Sequence, residues 1–370
     1  MIYTDRLRLC KLILQVALSD QGKASRAVYH AILAISSYHQ GGDLLYVDQL
    51  KRTALNELRT DVVSSEREGV QHIAANLLLC VLEMQQTSGN NSGWVGYISG
   101  VKQVIDAVKE AEPPVGSDAS LVLGWVYYFE VMARFVFRHW RTEYVKAVAK
   151  ALGFDANGSD SCRLQYILAR ASFTRSIPNI SMHAHPIMVL LAEIAETAMY
   201  SSDPRYTTPE YQRYLNDLRS RLEQVSPLTH TVDGSMHNEV DHHTTLLLDL
   251  TRLAGLIYLE RVSRNFSGQS ARIDSWTRQA LSTLTELDSC LCPFALSIVG
   301  CETVRDADRL IILGLYSRME ARPHLQSFMD IKSLLHTAWN LQDLAEEGEL
   351  EYIQKLNIVF SSRDVVPSLI

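Results

Sequence analysis

The stretch "PFALSIVGCETVRDADRLIIL", residues 293–313, decides between two folds. Cys301 follows Gly300 and precedes Glu302. If residues 293–299 form a strand, the cysteine sits on a sharp strand-to-helix elbow, the geometry of an enzymic nucleophile. If they form a helix, the cysteine packs at a helix start and the fold has no need of a sheet. An elbow carries glycine on both sides of the nucleophile, and Thr303 stands where the second glycine belongs. Pro293 opens an apolar stretch of helical character, and "ETVRDADRLIILGLYSRME" continues as helix. A helix N-terminus lowers a thiol pKa, but no base lies nearby in sequence. The residues favour packing.

Outward from that stretch, helical periodicity dominates. "DQLKRTALNELRTDV" puts Leu50, Ala54, Leu55 and Leu58 on one stripe. "TTLLLDLTRLAGLIYLERVSR" puts Leu246, Leu247, Leu250, Leu253, Ala254, Ile257 and Tyr258 on another. Both follow the i, i+3, i+4, i+7 spacing of an amphipathic helix. Polar or Gly/Pro-rich breaks such as "HQGGD" (39–43), "SGNNSG" (88–93), "EPPVGSD" (112–118), "GFDANGSD" (153–160) and "SSDPRYTTPE" (201–210) separate the periodic segments. Asp118 reads as a cap, and Thr208-Pro209-Glu210 reads as cap, first-turn proline and first-turn acid. The expectation is an all-α, multi-helix array of roughly a dozen helices forming one domain over residues 1–370. The segment 119–140, aromatic nearly all round, should be its central helix.

Composition narrows the function. The 370 residues are 47% hydrophobic and 21% charged, with a net charge of −7. No basic field exists to attract nucleic acid, so no direct nucleic-acid binding is expected of this chain. No apolar run reaches the about 20 residues of a membrane span. No signal peptide opens the chain. Of the six cysteines, Cys10, Cys80, Cys162, Cys290, Cys292 and Cys301, four sit in apolar helical patterns, which reads as buried thiols in a reducing compartment.

Other candidate sites read as scaffold. "HNEVDHHTTLLLD" (237–249) holds His237, Glu239, Asp241, His242 and His243, but it has one E-x-x-H, and a di-iron bundle takes two with two further glutamates. "NDLRSRLEQ" (216–224) misses the metal motif of class I terpene cyclases, because Gln224 stands where the acid belongs; Arg219 and Glu223 pair instead. "SMHAHPI" places His183 and His185 in a solvated loop without a third ligand. No phosphate loop and no zinc-finger spacing occurs. Neither a metal nor a cofactor is therefore expected. The aromatic helix offers a cavity wall, with Trp125, Tyr128, Phe129, Met132 and Phe135 as ligand-contact candidates beside their plain reading as core.

Four blocks in order carry a family resemblance. The first is "AVYHAILAISSYHQGGDLLYVDQLKRTALNELRTDV", whose K-x-x-A-L-x-x-L pattern is filled by Lys51, Ala54, Leu55 and Leu58. The second is "AANLLLCVLEMQQTSGNNSGWVGYISGVKQVI", with Glu83, Trp94 and Gly100. The third ends in Ile257-Tyr258-Leu259; the fourth runs from Pro293 through Gly300-Cys301-Glu302 to Arg305 and Arg309, with Trp339 closing the next helix. Together, over about residues 24–345, they resemble the fungal-specific transcription factor domain, the regulatory domain of fungal zinc-cluster regulators. The resemblance implies a nuclear regulatory domain, without catalytic residues, that binds a small apolar molecule or a protein partner and forms a homodimer; a chain outside that family would be cytoplasmic. It also implies that the G-C-E turn belongs to the scaffold. The family's zinc-cluster module, C-x2-C-x6-C and a similar second half, is not in this sequence. The alternative is a stand-alone enzyme of secondary metabolism on the same scaffold, catalysing a cyclisation or isomerisation with Glu130, His139 and Arg134 as its candidate groups.

Overall fold

The computed structural model describes residues 6–59, 63, 65–86, 93–107, 114, 116–140, 180–198, 203–225, 242–290, 292–320, 326–344, 351–362 and 366–369. Among them are fourteen α-helices and no strand. They are α1 (Arg6–Ala17), α2 (Lys23–His39), α3 (Leu44–Arg59), α4 (Glu66–Gln86), α5 (Trp94–Ala107), α6 (Asp118–His139), α7 (Pro186–Glu196) and α8 (Pro209–Gln224). Then follow α9 (His242–Tyr258), α10 (Ala271–Glu286), α11 (Pro293–Cys301), α12 (Asp306–Glu320), α13 (Gln326–Leu344) and α14 (Tyr352–Ser361). A 3-10 turn spans Ile180–His183, and α9 runs on into a π turn at Leu259–Ser263. The all-α expectation holds. The breaks at 88–93, 112–118 and 153–160 lie wholly or partly outside the described residues.

Local chemistry sets the helix ends. In "HQGGD", Gly41 has φ 72°, the left-handed region that glycine enters without a Cβ clash. The Gly41 N–H donates to the Tyr38 carbonyl at 3.1 Å and the Gly42 N–H to the Ser37 carbonyl at 2.8 Å. This is a Schellman closure of α2. Thr208 accepts from the Tyr211 N–H at 3.3 Å ahead of Pro209, as expected of a cap. At α6 the cap differs from expectation. Asp118 is already helical, and Ser117 Oγ accepts from the Ser120 N–H at 3.2 Å.

The chain divides into two compact units. One contains α1–α5, the 3-10 turn and α6 through Glu130; the other contains α6 from Val131 and α7–α14. In the first, α2 packs on α3 and α4, and α4 packs on α5. Ala24, Ala27, Val28, Ala31 and Ala34 form the buried stripe of α2. Small side chains there let neighbouring helix axes approach closely. In the second, α9 touches α7, α8, α10 and α11, α11 lies on α13, and α14 lies on α13 and the π turn. Every residue of α11 is buried. A helix that is apolar on all sides loses least by being covered on all sides. Helix α6 is long and apolar enough to cross a membrane by composition, yet 78% of its apolar window is buried inside the protein.

Candidate functional site

Cys301 is the last residue of α11, and Glu302 is its C-cap. The expectation that the cysteine opens a helix is therefore corrected. The continuous helix expected after it is also broken, because α12 begins only at Asp306. The thiol is 7% exposed, and burial, with the neighbouring Glu302 charge, pushes its pKa up to about 12. At neutral pH it is protonated and a poor nucleophile.

Around the turn several polar groups hold other elements. Arg261, from the π turn, donates to Glu302 Oε2 through Nε at 3.0 Å and Nη2 at 2.8 Å. Tyr352, at the start of α14, donates its hydroxyl to Glu302 Oε1. The Arg261 guanidinium lies 5.3 Å from the centre of the Tyr352 ring, a cation–π contact. Trp339 Nε1 donates to the Gly300 carbonyl and to Thr303 Oγ1, both at 2.9 Å. Gln342 donates to the Cys301 carbonyl. Arg309 donates to the Thr303 carbonyl at 3.2 Å and grips Asp343 with both terminal nitrogens at 2.8 and 2.7 Å. The opening stretch thus ties α9, α11, α12, α13 and α14 together and presents no reactive atom.

The five aromatic-helix candidates are core. Trp125, Tyr128, Phe129, Met132 and Phe135 are each at most 5% exposed. Trp125 and Tyr128 meet Phe129 edge to face at 5.9 and 6.0 Å in the first unit. Phe135 meets Tyr258 at 4.9 Å and Phe294 at 4.5 Å in the second. Such offset ring pairs add to the area they bury.

Of the three residues of the enzymic alternative, His139 has both ring nitrogens engaged. Nδ1 lies 2.8 Å from Asn357 Oδ1 and Nε2 lies 2.8 Å from the Tyr258 hydroxyl. With Asn357 oriented so, Nδ1 donates and Nε2 accepts, which fixes a neutral tautomer. Burial, reinforced by the Arg138 charge, lowers the His139 pKa to about 4 despite the Asn357 bond. Arg134 faces Glu196 at 3.8 Å, and Glu130 is 2% exposed.

The remaining sequence candidates disperse. His237, Glu239 and Asp241 lie outside the described residues, as does Cys162, while His243 Nε2 meets the Ser289 carbonyl at 3.1 Å. His183 and His185 do not share a loop. His183 ends the 3-10 turn against Ser120 Oγ at 2.9 Å, and His185 caps α7 by accepting from the Ile187 N–H. Arg219 and Glu223 stand 4.0 Å apart, as expected. Among the described residues no three His, Cys, Asp or Glu side chains cluster to hold a metal. Two features were missed. Lys51 pairs with Glu83, both largely buried; each had been read from its own helix, and no sequence pattern joins them. A cleft between α1 and the starts of α4 and α6 also had no sequence signal.

Comparison with known proteins agrees with the architecture. Residues 2–361 match the family model described as fungal specific transcription factor domain. The chain is 30% identical over 371 aligned positions to transcription factor iacI of Pestalotiopsis fici, covering 98% of this chain and 89% of that protein. No solved structure matches.

Proposed function

The chain belongs to the fungal specific transcription factor domain family, and from that premise we propose that it is the regulatory region of a nuclear transcription regulator whose output is set by helix packing. The observation that carries this reading is the Gly300-Cys301-Glu302 turn, where the cysteine placed like a nucleophile by its sequence is buried, protonated and enclosed by structural bonds. A molecule that prefers one packing shifts the population by its differential affinity. Promoter contact falls to a separate DNA-reading module, consistent with a net charge of −7 on this chain.

A tethered reporter tests the proposal. The chain is fused to a heterologous DNA-binding module, and transcription is compared with that of the module alone. A change in output, lost when Glu302→Ala loosens the turn, is expected. Output equal to that of the bare module overturns the reading.

A further inference from the structure

A cleft of about 570 Å³ opens in the first unit between α1, the start of α4 and the start of α6. Leu12, Val16 and Val70 give it an apolar wall, and Glu66, Gln71 and Asp118 give it polar edges. The volume suits a small organic molecule. Gln71 is the informative residue. It is only 2% exposed, and its Nε2 donates to Ser19 Oγ at 2.9 Å and Asp20 Oδ2 at 3.0 Å. Those two bonds fix the amide and leave Oε1, on the opposite side of the group, as an acceptor with no partner among the described residues.

The other groups sort by what they already bond. Arg67 donates to the Ser19 carbonyl at 2.8 Å and pairs with Asp20 at 3.3 Å, both through Nη2, which turns that nitrogen towards the α1 end. Glu66 and Asp118 form no ion pair among the described residues. Glu66, Asp118 and Gln71 Oε1 thus offer three acceptors along the cleft, since a carboxylate accepts and does not donate.

We propose that this cleft binds a small amphipathic molecule whose apolar body lies on Leu12, Val16 and Val70 and whose hydroxyl groups donate to Glu66, Asp118 and Gln71 Oε1. The inference rests on the regulatory reading above and supplies its ligand site and ligand chemistry.

The test uses the full chain with isotope-labelled methyl groups and two probes of one shape, resorcinol and its dimethyl ether. Resorcinol brings two O–H donors, and the ether brings none. Saturable shifts of the Leu12, Val16 and Val70 methyls by resorcinol are expected, with the ether about tenfold weaker, the worth of one hydrogen bond to a charged group. The exposed-site pair Glu66→Gln with Asp118→Asn weakens resorcinol and leaves the ether unchanged. Val70→Trp fills the cleft and abolishes both; Ala119→Trp repeats the filling from the opposite wall should the first variant not fold. Silent methyls, equal binding of the two probes, or unchanged binding in a folded filled variant each overturn the assignment. A working reporter fusion with a silent cleft sinks the site and spares the regulatory reading. A silent reporter with a selective cleft does the reverse.

Discussion

Arg261 and Glu302 stand 41 residues apart in sequence and form a bond through two guanidinium nitrogens to one carboxylate oxygen, with side chains 11% and 5% exposed. Breaking such a pair from one side leaves the other charge buried and alone. Glu302→Ala should cost about 3–5 kcal/mol of stability by urea unfolding. Replacing both partners with apolar residues of similar volume, Arg261→Met with Glu302→Leu, should recover part of that loss, the remainder being the Tyr352 hydroxyl left without its acceptor. Equal destabilisation by the single and double variants would show that the pair does not act as a unit.

Gly300 has no room for a side chain. A Cβ there would lie 2.4 Å from Leu335 Cδ2 and 3.1 Å from its Cγ. Leu335 is itself 1% exposed and has nowhere to move. Gly300→Ala should therefore cost about 1–3 kcal/mol as overpacking. Adding Leu335→Ala should make the alanine at 300 nearly neutral in a double-mutant cycle.

His139 predicts a pH dependence with a definite sign. Its folded pKa is about 4 against an ordinary 6.5. Below 6.5 the unfolded chain takes up a proton that the folded chain refuses. The stability contribution is thus complete above pH 6.5 and is lost progressively as the pH falls towards 4. The full loss amounts to about 3 kcal/mol. Melting temperatures measured from pH 7.5 to 4.5 should fall less steeply for His139→Gln than for the unaltered chain, and parallel curves would count against the assignment.

Thiol reactivity should follow burial. Cys10 is exposed, while Cys80, Cys290, Cys292 and Cys301 are buried, and burial raises the pKa of Cys80, Cys290 and Cys301. Iodoacetamide at pH 8 should label Cys10 on the native chain and spare those four until denaturant is added. Rapid native labelling of Cys301, read by peptide mass spectrometry, would reopen the nucleophile question.

Phe135→Ala should remove about 3–5 kcal/mol, because the ring fills space against Tyr258 and Phe294 and leaves a cavity there. A variant with unchanged stability would mean that the ring borders an open pocket.

By itself the sequence determined the helices and many of their ends. The i, i+3, i+4 pattern and the punctuation of "HQGGD" and Thr208-Pro209 act within a turn or two of backbone, so a linear reading captures them. The family blocks were legible for the same reason, and so was the assignment of the G-C-E turn to scaffold. Partnerships were decided only in three dimensions. Nothing local links Lys51 to Glu83, Arg261 to Tyr352, or His139 to Asn357 across 218 positions. Nor does any local pattern announce a cleft walled by α1, α4 and α6. Periodicity fixes which face of a helix is buried, but which polar group meets which depends on packing angles and on the cost of burying an unpaired charge. Those terms act between helices, after the chain has collapsed, and no single segment contains them.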